Sequence, residues 1–123
     1  MLTVGNEFPQ FSVQACTGTE KEDIKLLTSA DYSGKWTVFF FYPKDFTFVC
    51  PTELAEFNKQ LKSFSDRDTS VVGGSTDNEW CHMMWRRSHA DLKELAYPLI
   101  AAQKLAAELG ILEQTEGYCQ RAT

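Results

Sequence analysis

The chain has 123 residues, of which 43% are hydrophobic and 13% aromatic, and its formal net charge is −5. This length falls in the range of one small domain, so we expect a single domain over residues 1–123. The acidic balance argues against nucleic acid as a partner because phosphates attract basic surfaces, and no stretch is long and apolar enough to predict a membrane span.

The N-terminal region gives weak structural signals. Residues 1–5 lack the basic start and apolar run of a signal peptide, so the sequence predicts a cytoplasmic location. Residues 8–13 alternate weakly between apolar and polar side chains, which indicates a strand. Pro9 has no backbone N–H to donate, so we expect this strand at an edge of the sheet.

The clearest strand covers Trp36–Tyr42, which is almost uninterruptedly apolar. Gly34 precedes it and Pro43 ends it. Such a run is typical of a strand that is covered on both faces. We therefore expect a central strand with a neighbouring strand on each side.

A helix is predicted to begin at Cys50. Pro51 suits the first helical turn, and Glu53 complements the positive end of the helix dipole. The apolar residues that recur at helical spacing, and that should face the sheet, are Leu54, Phe57, Leu61 and Phe64. A short strand, Ser70–Gly74, follows. Strand, helix and strand at these lengths predict a right-handed βαβ unit with parallel strands.

Two further helices follow. Thr76–Glu79 resembles a capping box. The helix that it begins carries four large apolar residues, expected in the core or at an oligomer surface: Trp80, Met83, Met84 and Trp85. Residues 101–109 predict a third helix, ended by Gly110. A new extended segment begins after Gly117, so the predicted α/β sheet is unfinished.

Four cysteines occur, Cys16, Cys50, Cys81 and Cys119, without a C-x-x-C pair. The absence of a secretion signal and the low cysteine density argue against a disulfide framework, so we interpret them as separate thiols. A zinc or iron site formed by Cys81, His82 and His89 is the alternative. Adjacent residues on a helix point about 100° apart, which does not favour such a site.

Cys50 is the candidate nucleophile. A sulfur at a helix N-terminus faces unpaired backbone N–H groups and the positive end of the dipole, and both favour the thiolate, which is the reactive form. Pro51 biases the preceding residue away from helical torsions, which suits a capping position. The apolar neighbours Phe46, Phe48 and Val49 are expected to restrict water. The alternative is that Cys50 is a small buried hydrophobic residue.

The remaining charged and polar residues have simple interpretations. The cations scattered among acidic residues are expected on the solvated surface: Lys62, Arg67, Arg86 and Arg87. Lys44 and Asp45 are interpreted as loop charges. His82 and His89 are interpreted as polar surface residues or as packing residues with satisfied hydrogen bonds.

The segment Pro43–Glu53, PKDFTFVCPTE, resembles the peroxidatic motif P-x-x-x-T-x-x-C of the peroxiredoxins. The longer string resembles the typical two-cysteine branch, which contains the alkyl hydroperoxide reductases. The likeness continues through Gly34–Trp36, Ser75–Asp77, His82–Arg86, Leu109–Leu112 and Arg121. It covers essentially the whole chain. It implies an α/β, thioredoxin-like fold from which the C-terminal strands and helix of the family are absent.

The resemblance implies an enzyme, a thiol-dependent peroxidase acting on hydrogen peroxide and alkyl hydroperoxides. Cys50 corresponds to the residue that attacks the peroxide and becomes a sulfenic acid. Thr47 corresponds to the hydroxyl that hydrogen-bonds the incoming oxygens, and Pro43 to the residue that shields the site and shapes the loop. Arg121 corresponds to the arginine that stabilises the thiolate and the transition state, and Glu53 to the residue that orients it.

The resemblance also implies partners: a thioredoxin-like or flavoprotein disulfide reductant, and further copies of the chain in a homodimer or larger ring. The loop around Phe46 and residues 75–80 correspond to contacts between dimers. Neither a cofactor nor a metal is implied.

Three alternatives stay open at this point. The family's resolving cysteine lies downstream of the matched region, but Cys119 would share a face with Arg121 on a strand and is a candidate for that role. The chain could act as an oligomeric holdase or redox sensor. It could also be an inactive fragment of a peroxiredoxin.

Overall fold

The computed structural model describes residues 2–48 and 50–123. Five strands form one mixed sheet in the order β2-β1-β5-β4-β3. The strands are β1 (Ser12–Cys16), β2 (Ile24–Thr28), β3 (Trp36–Phe41), β4 (Thr69–Ser75) and β5 (Leu99–Ala101). The α-helices are α1 (Cys50–Lys59), α2 (Leu61–Ser65), α3 (Glu79–Ser88) and α4 (Gln103–Leu109). Short 3₁₀ turns cover Lys21–Asp23, Ser29–Tyr32 and Ala90–Leu92.

The predicted βαβ unit is confirmed: β3 and β4 are parallel, with Val38 opposite Val71, and α1 lies between them in sequence. The helix predicted to continue through Phe64 is instead divided at Gln60 into α1 and α2. The division keeps the apolar faces of both pieces on the sheet, because Phe57 and Phe64 stack with ring centroids 6.1 Å apart and both pack against one core cluster.

The Trp36–Tyr42 strand has one full neighbour, which agrees with the prediction of an unfinished sheet. β3 is the last strand of the sheet and pairs along its length with β4 only. On its other side the C-terminal segment makes one antiparallel bridge, in which the Phe41 N–H donates to the carbonyl of Ala122 at 2.7 Å. Within β3 only Phe40 and Phe41 are buried, whereas Trp36 is 78% exposed.

The N-terminal strand is shifted from its prediction. β1 overlaps residues 8–13 only at its start, and it lies inside the sheet between β2 and β5. β2 and β5 gave no signal strong enough to predict them. β5 has three residues, too few to show a period, and its pairing with β1 and β4 is made by contacts distant in sequence.

The sheet divides the core into two clusters, one on each face. The end of β3 and the residue after it supply both: Phe40 and Tyr42 belong to the first cluster, and Phe39 and Phe41 to the second. The first cluster lies under α1 and contains Cys50, whereas the second lies under α4.

The helix predicted after residues 76–79 is present as α3, with two corrections. Its N-cap is Asn78, whose side chain accepts the N–H of Cys81, so Thr76 is not the capping residue. Arg86 is fully buried, not solvated: its guanidinium donates to the carbonyls of four residues, Cys16, Thr17, Leu95 and Tyr97. This loss of hydration lowers the pKa of Arg86.

The four apolar residues of α3 divide between core and surface. Met83 and Trp85 are buried, whereas Trp80 and Met84, one turn apart, are exposed. α4 ends as predicted, with Gly110 in the left-handed conformation at φ 77°. None of the helices in the described residues is long and apolar enough to cross a membrane.

Candidate active site

Cys50 is the first residue of α1, and Pro51 follows it in the first turn, as the sequence predicts. The residue is 1% exposed, and its side chain packs in the first core cluster with Tyr42 and Leu54. Its sulfur therefore lies at the positive end of a helix and in an environment with little water, where a nearby charge acts strongly.

Such a charge is present. The Nη2 atom of Arg121 lies 3.5 Å from the Cys50 sulfur, although the two residues are 71 positions apart. The Nε atom of the same guanidinium donates to Oε1 of Glu53 at 2.7 Å. This hydrogen bond raises the pKa of Arg121 above its ordinary value, so the side chain is a permanent cation. The structure thus brings together three predicted site residues: Cys50, Glu53 and Arg121.

The C-terminal segment carries Arg121 to the sulfur. Cys119 bridges to Leu112, and Ala122 bridges to Phe41 at the end of β3. Cys119 and Ala122 both pack in the second core cluster, whereas the Arg121 side chain reaches the first. The sequence-based expectation that Cys119 and Arg121 share a face is therefore wrong, because the segment between the two bridges is not a regular strand.

The loop before α1 contains Pro43 and Thr47. Pro43 is half-buried directly after Tyr42, at the end of β3. The Thr47 hydroxyl donates to the Lys44 carbonyl at 3.2 Å, so it is held within its own loop and is not hydrogen-bonded to Cys50 in the described part of the chain. Lys44 itself lies over the Tyr118 ring, 5.0 Å from the centroid, which links the loop to the C-terminal segment.

The expected apolar shield of the sulfur is only partly present. Val49 lies outside the described residues. Phe46 is 58% exposed and Phe48 is 98% exposed, so neither ring covers the sulfur. Both line an open cleft of about 310 Å³ beside the loop, together with Thr47, Pro51, Trp85, Ser88 and His89.

A buried polar cluster beneath the loop was not found by sequence reasoning. Asp45, interpreted as a loop charge, is buried, and its Oδ2 lies 2.6 Å from Nδ1 of the fully buried His82. The Tyr42 hydroxyl donates to the other carboxylate oxygen of Asp45 at 2.8 Å. His82 is thus a packing residue with satisfied hydrogen bonds, which is one of the two interpretations that the sequence allowed.

The other three thiols have different surroundings. Burial raises the pKa of Cys16, and it raises the pKa of both Cys81 and Cys119 to about 12. All three thiols are therefore protonated at neutral pH and are poor nucleophiles. Cys119 belongs to the cluster on the opposite face of the sheet from Cys50, so the structure does not support it as a resolving cysteine.

The alternative metal site at Cys81, His82 and His89 is not formed. Both ring nitrogens of His82 are engaged, one by Asp45 and the other by the Ile100 carbonyl at 2.9 Å. Nδ1 of His89 accepts the N–H of Asp91, which holds that ring at the start of the 3₁₀ turn. These hydrogen bonds direct both imidazoles away from a shared ligand position.

A cysteine at a helix N-terminus, held against an arginine that a glutamate orients, on a thioredoxin-like sheet, defines the class of thiol-dependent peroxidases. Comparison with known proteins agrees. The sequence profile of the AhpC/TSA family matches residues 4–123, and the chain belongs to this family.

Individual relatives support the assignment. The chain is 46% identical to "Alkyl hydroperoxide reductase C" of Mycolicibacterium smegmatis, over 100% of this chain and 68% of that protein. It is 39% identical to "Peroxiredoxin" of Cynops pyrrhogaster, over 96% of this chain and 60% of that protein. The solved structure "Mycobacterium tuberculosis AhpC" superimposes with a TM-score of 0.87 and 39% identity, covering 98% of this chain and 74% of that one. The thioredoxin-like α/β fold and the peroxidase class are thereby confirmed.

Proposed function

We propose that Cys50 is the peroxidatic residue of this thiol-dependent peroxidase. The single observation that carries the proposal is the Arg121 guanidinium, 3.5 Å from the Cys50 sulfur and hydrogen-bonded to Glu53. A permanent cation at this distance, in a site with little water, stabilises negative charge on the sulfur in the ground state and on the reacting oxygens in the transition state.

In the proposed reaction the Cys50 thiolate attacks the nearer oxygen of a peroxide. The S–O bond forms as the O–O bond breaks, the sulfur is oxidised by two electrons to a sulfenic acid, and the leaving oxygen takes a proton to become water or an alcohol. Hydrogen peroxide and alkyl hydroperoxides both satisfy this scheme, since the reacting group is the same.

The loop residues take supporting roles in the proposal. The Thr47 hydroxyl, which now donates to the Lys44 carbonyl, turns to hydrogen-bond a bound peroxide oxygen. Pro43 fixes the direction in which the loop leaves β3, because its ring limits the backbone. Cys50 is 1% exposed, so an oxidant reaches its sulfur only when surrounding residues move.

We further propose that a thioredoxin-like or flavoprotein disulfide reductant returns Cys50 to the thiol, and that the chain works in the cytoplasm as a homodimer or larger ring. A relative from Fasciola hepatica is named "Thioredoxin peroxidase", which supports the first kind of reductant. Self-association is supported by exposed apolar side chains on the loop and on α3, namely Phe46, Phe48, Trp80 and Met84.

The test is the rate of hydrogen peroxide consumption by the reduced chain, with Cys50→Ser as the matched variant. We expect Cys50→Ser to reduce the rate to the uncatalysed background. After one equivalent of peroxide, dimedone and mass spectrometry should locate the sulfenic acid at Cys50 and not at Cys16, Cys81 or Cys119, whose thiols are protonated. A wild-type rate no greater than that of Cys50→Ser would contradict the proposal.

The second candidate, an oligomeric holdase, is favoured by the same exposed apolar side chains. It does not depend on the sulfur. Suppression of client aggregation that persists in Cys50→Ser, in a chain without peroxidase activity, would favour the holdase over the enzyme.

A further inference from the structure

The Asp45–His82 contact joins two ionisable side chains that are both completely buried. The pair lies beneath the loop that leads to Cys50: Asp45 belongs to that loop, whereas His82 belongs to α3. Burying two polar groups in this way is unfavourable unless every hydrogen bond is made, so the pair must have a compensating role or a complete set of partners.

The hydrogen bonds of the pair are complete and fix its protons. Nε2 of His82 faces the Ile100 carbonyl, which can only accept, so Nε2 carries a hydrogen. One further proton lies between Nδ1 of His82 and Oδ2 of Asp45, 2.6 Å apart. The pair therefore carries two hydrogens, one on Nε2 and one between Nδ1 and Oδ2. Its net charge is zero whether the second hydrogen is bonded to His82 or to Asp45.

Asp45 is also tied to its surroundings by two other bonds. Its Oδ1 accepts the Tyr42 hydroxyl, and its backbone N–H donates to the Asp77 carboxylate at 2.7 Å. Burial raises the pKa of Tyr42 well above its ordinary value, so this hydroxyl remains a donor at every accessible pH. One loop residue is thus fixed to the end of β3, to β5 through His82, and to the turn before α3.

The residue after Asp45 has an unfavourable backbone conformation. Phe46 has φ of 58°, in the left-handed region that a bulky L-residue rarely adopts. Its ring is 58% exposed and contacts the Trp85 ring with centroids 6.1 Å apart, so packing of the side chain fixes the conformation only in part. Residues in such conformations persist where the surrounding structure fixes them, and the hydrogen bonds of Asp45 are the adjacent constraint.

We propose that the buried Asp45–His82 pair is a positioning element of the peroxidatic site, which holds the loop 43–48 so that Thr47 and the start of α1 meet the peroxide in the reactive geometry. This inference rests on the proposed function of Cys50. Neither residue touches the sulfur or the substrate, so both act through the loop.

The decisive comparison is Asp45→Ala with Asp45→Asn. An asparagine can still accept the Tyr42 hydroxyl through Oδ1 and can donate from Nδ2 to Nδ1 of a neutral His82, so it preserves the network without the carboxylate. Alanine removes both bonds. We expect Asp45→Ala to lower the second-order rate constant with hydrogen peroxide about tenfold or more, because small misplacements of reacting groups are costly, and Asp45→Asn to stay within about threefold of wild type.

A second reaction separates positioning from general damage. Alkylation of Cys50 by iodoacetamide needs a reachable thiolate but no peroxide-binding loop, so Asp45→Ala should react with iodoacetamide at the wild-type rate or faster. Asn58→Ala is the matched control for lost stability. It removes the bond from the Ala96 N–H to Oδ1 of Asn58, which holds α1 from outside the loop, and it should lower Tm without changing the ratio of the two rates.

If Asp45→Ala does not fold, Tyr42→Phe takes its place, because it removes only the hydroxyl that donates to Asp45. We expect Tyr42→Phe to lower the peroxide rate about threefold and to leave the iodoacetamide rate unchanged. The inference is overturned if peroxide rates of the folded variants match wild type, or if both reactions slow equally. If the wild-type chain is no faster than Cys50→Ser, the proposed function is overturned as well. The comparison of wild type with Cys50→Ser therefore distinguishes failure of the proposed function from failure of the inference alone.

Discussion

Cys50 and Cys119 lie on opposite faces of one sheet, and both are buried to nearly the same degree, at 1% and 0% exposure. Cys50 begins a helix and has the Arg121 guanidinium 3.5 Å from its sulfur. Cys119 lies in an apolar cluster, where burial raises its pKa to about 12. The side chains of Cys119 and Arg121, two residues apart in one short segment, thus lie on opposite faces of the sheet.

Burial by itself therefore does not distinguish the two thiols, whereas the groups around each sulfur do. Removal of water suppresses ionisation where no charge or helix terminus compensates, as at Cys119, and it strengthens the attraction of the cation where one is present, as at Cys50. Under the proposed function, we expect the difference between the two thiols to depend on the guanidinium, and three substitutions sharpen the comparison.

The largest effect is expected for Arg121→Ala. Loss of the guanidinium removes the cation and hydrogen-bond donor beside the sulfur, and the rate constant with hydrogen peroxide should fall about 100-fold or more, measured by stopped flow. Arg121→Lys should recover part of the loss, since lysine retains the charge without the planar fork of donors.

Arg87→Ala is the control for this substitution. Arg87 is exposed to a similar extent, donates to the Thr19 carbonyl and faces Glu20 at 3.7 Å, so its removal should leave the rate unchanged. Equal rates for Arg121→Ala and wild type would mean that the contrast between the two thiols does not arise from the cation.

A smaller effect is expected for Glu53→Ala, which leaves the cation in place without the acceptor that orients it. The peroxide rate should fall about tenfold, and Glu53→Gln should restore most of it because its amide oxygen still accepts from Nε of Arg121. The melting temperature should barely change, because an ion pair with 48% and 30% exposed side chains contributes about 0–1 kcal/mol.

Glu20→Ala, at the other arginine–glutamate pair, is the matched control and should keep the wild-type rate. If Glu53→Ala and Glu53→Gln were both as active as wild type, the glutamate would not be needed to orient the guanidinium.

The smallest effect on activity is expected for Cys119→Ser. The hydroxyl would be buried in the apolar second cluster, so the free energy of unfolding, measured with urea, should fall by about 1–3 kcal/mol. The peroxide rate of the folded protein should equal that of wild type, because this thiol lies on the other face of the sheet. A rate that fell with the substitution would instead assign Cys119 a part in the chemistry.

Local signals account for the features that the sequence predicted well. The helix starting at Cys50, the parallel βαβ unit and the end of α4 at Gly110 depend on Pro51, on apolar periodicity and on a glycine, all of which act within a few residues. The peroxidatic motif likewise lies in eleven consecutive residues. The prediction for Arg121 depended on family resemblance, since a terminal arginine has no local pattern that indicates a site.

The errors concern residues whose environment is formed by distant segments. Arg86 looked like a surface cation, yet its guanidinium satisfies carbonyls from β1 and from the segment before β5. Asp45 looked like a loop charge, yet its partner His82 comes 37 positions later. A charged side chain is exposed unless the fold supplies its hydrogen bonds, and a sequence does not show which carbonyls or imidazoles will be adjacent.

Backbone propensities and side-chain periodicity act locally, so the amino-acid sequence was enough to predict the helix that begins at Cys50 and the parallel pair of strands around it, whereas the choice of Cys50 as the candidate nucleophile also needed the family resemblance. The folded chain alone revealed that Arg121 reaches the sulfur while Cys119 faces the other way, and that Asp45 and His82 are buried together. The charge state and reactivity of a buried group depend on the groups within a few ångströms of it, and these come from segments far apart in the chain.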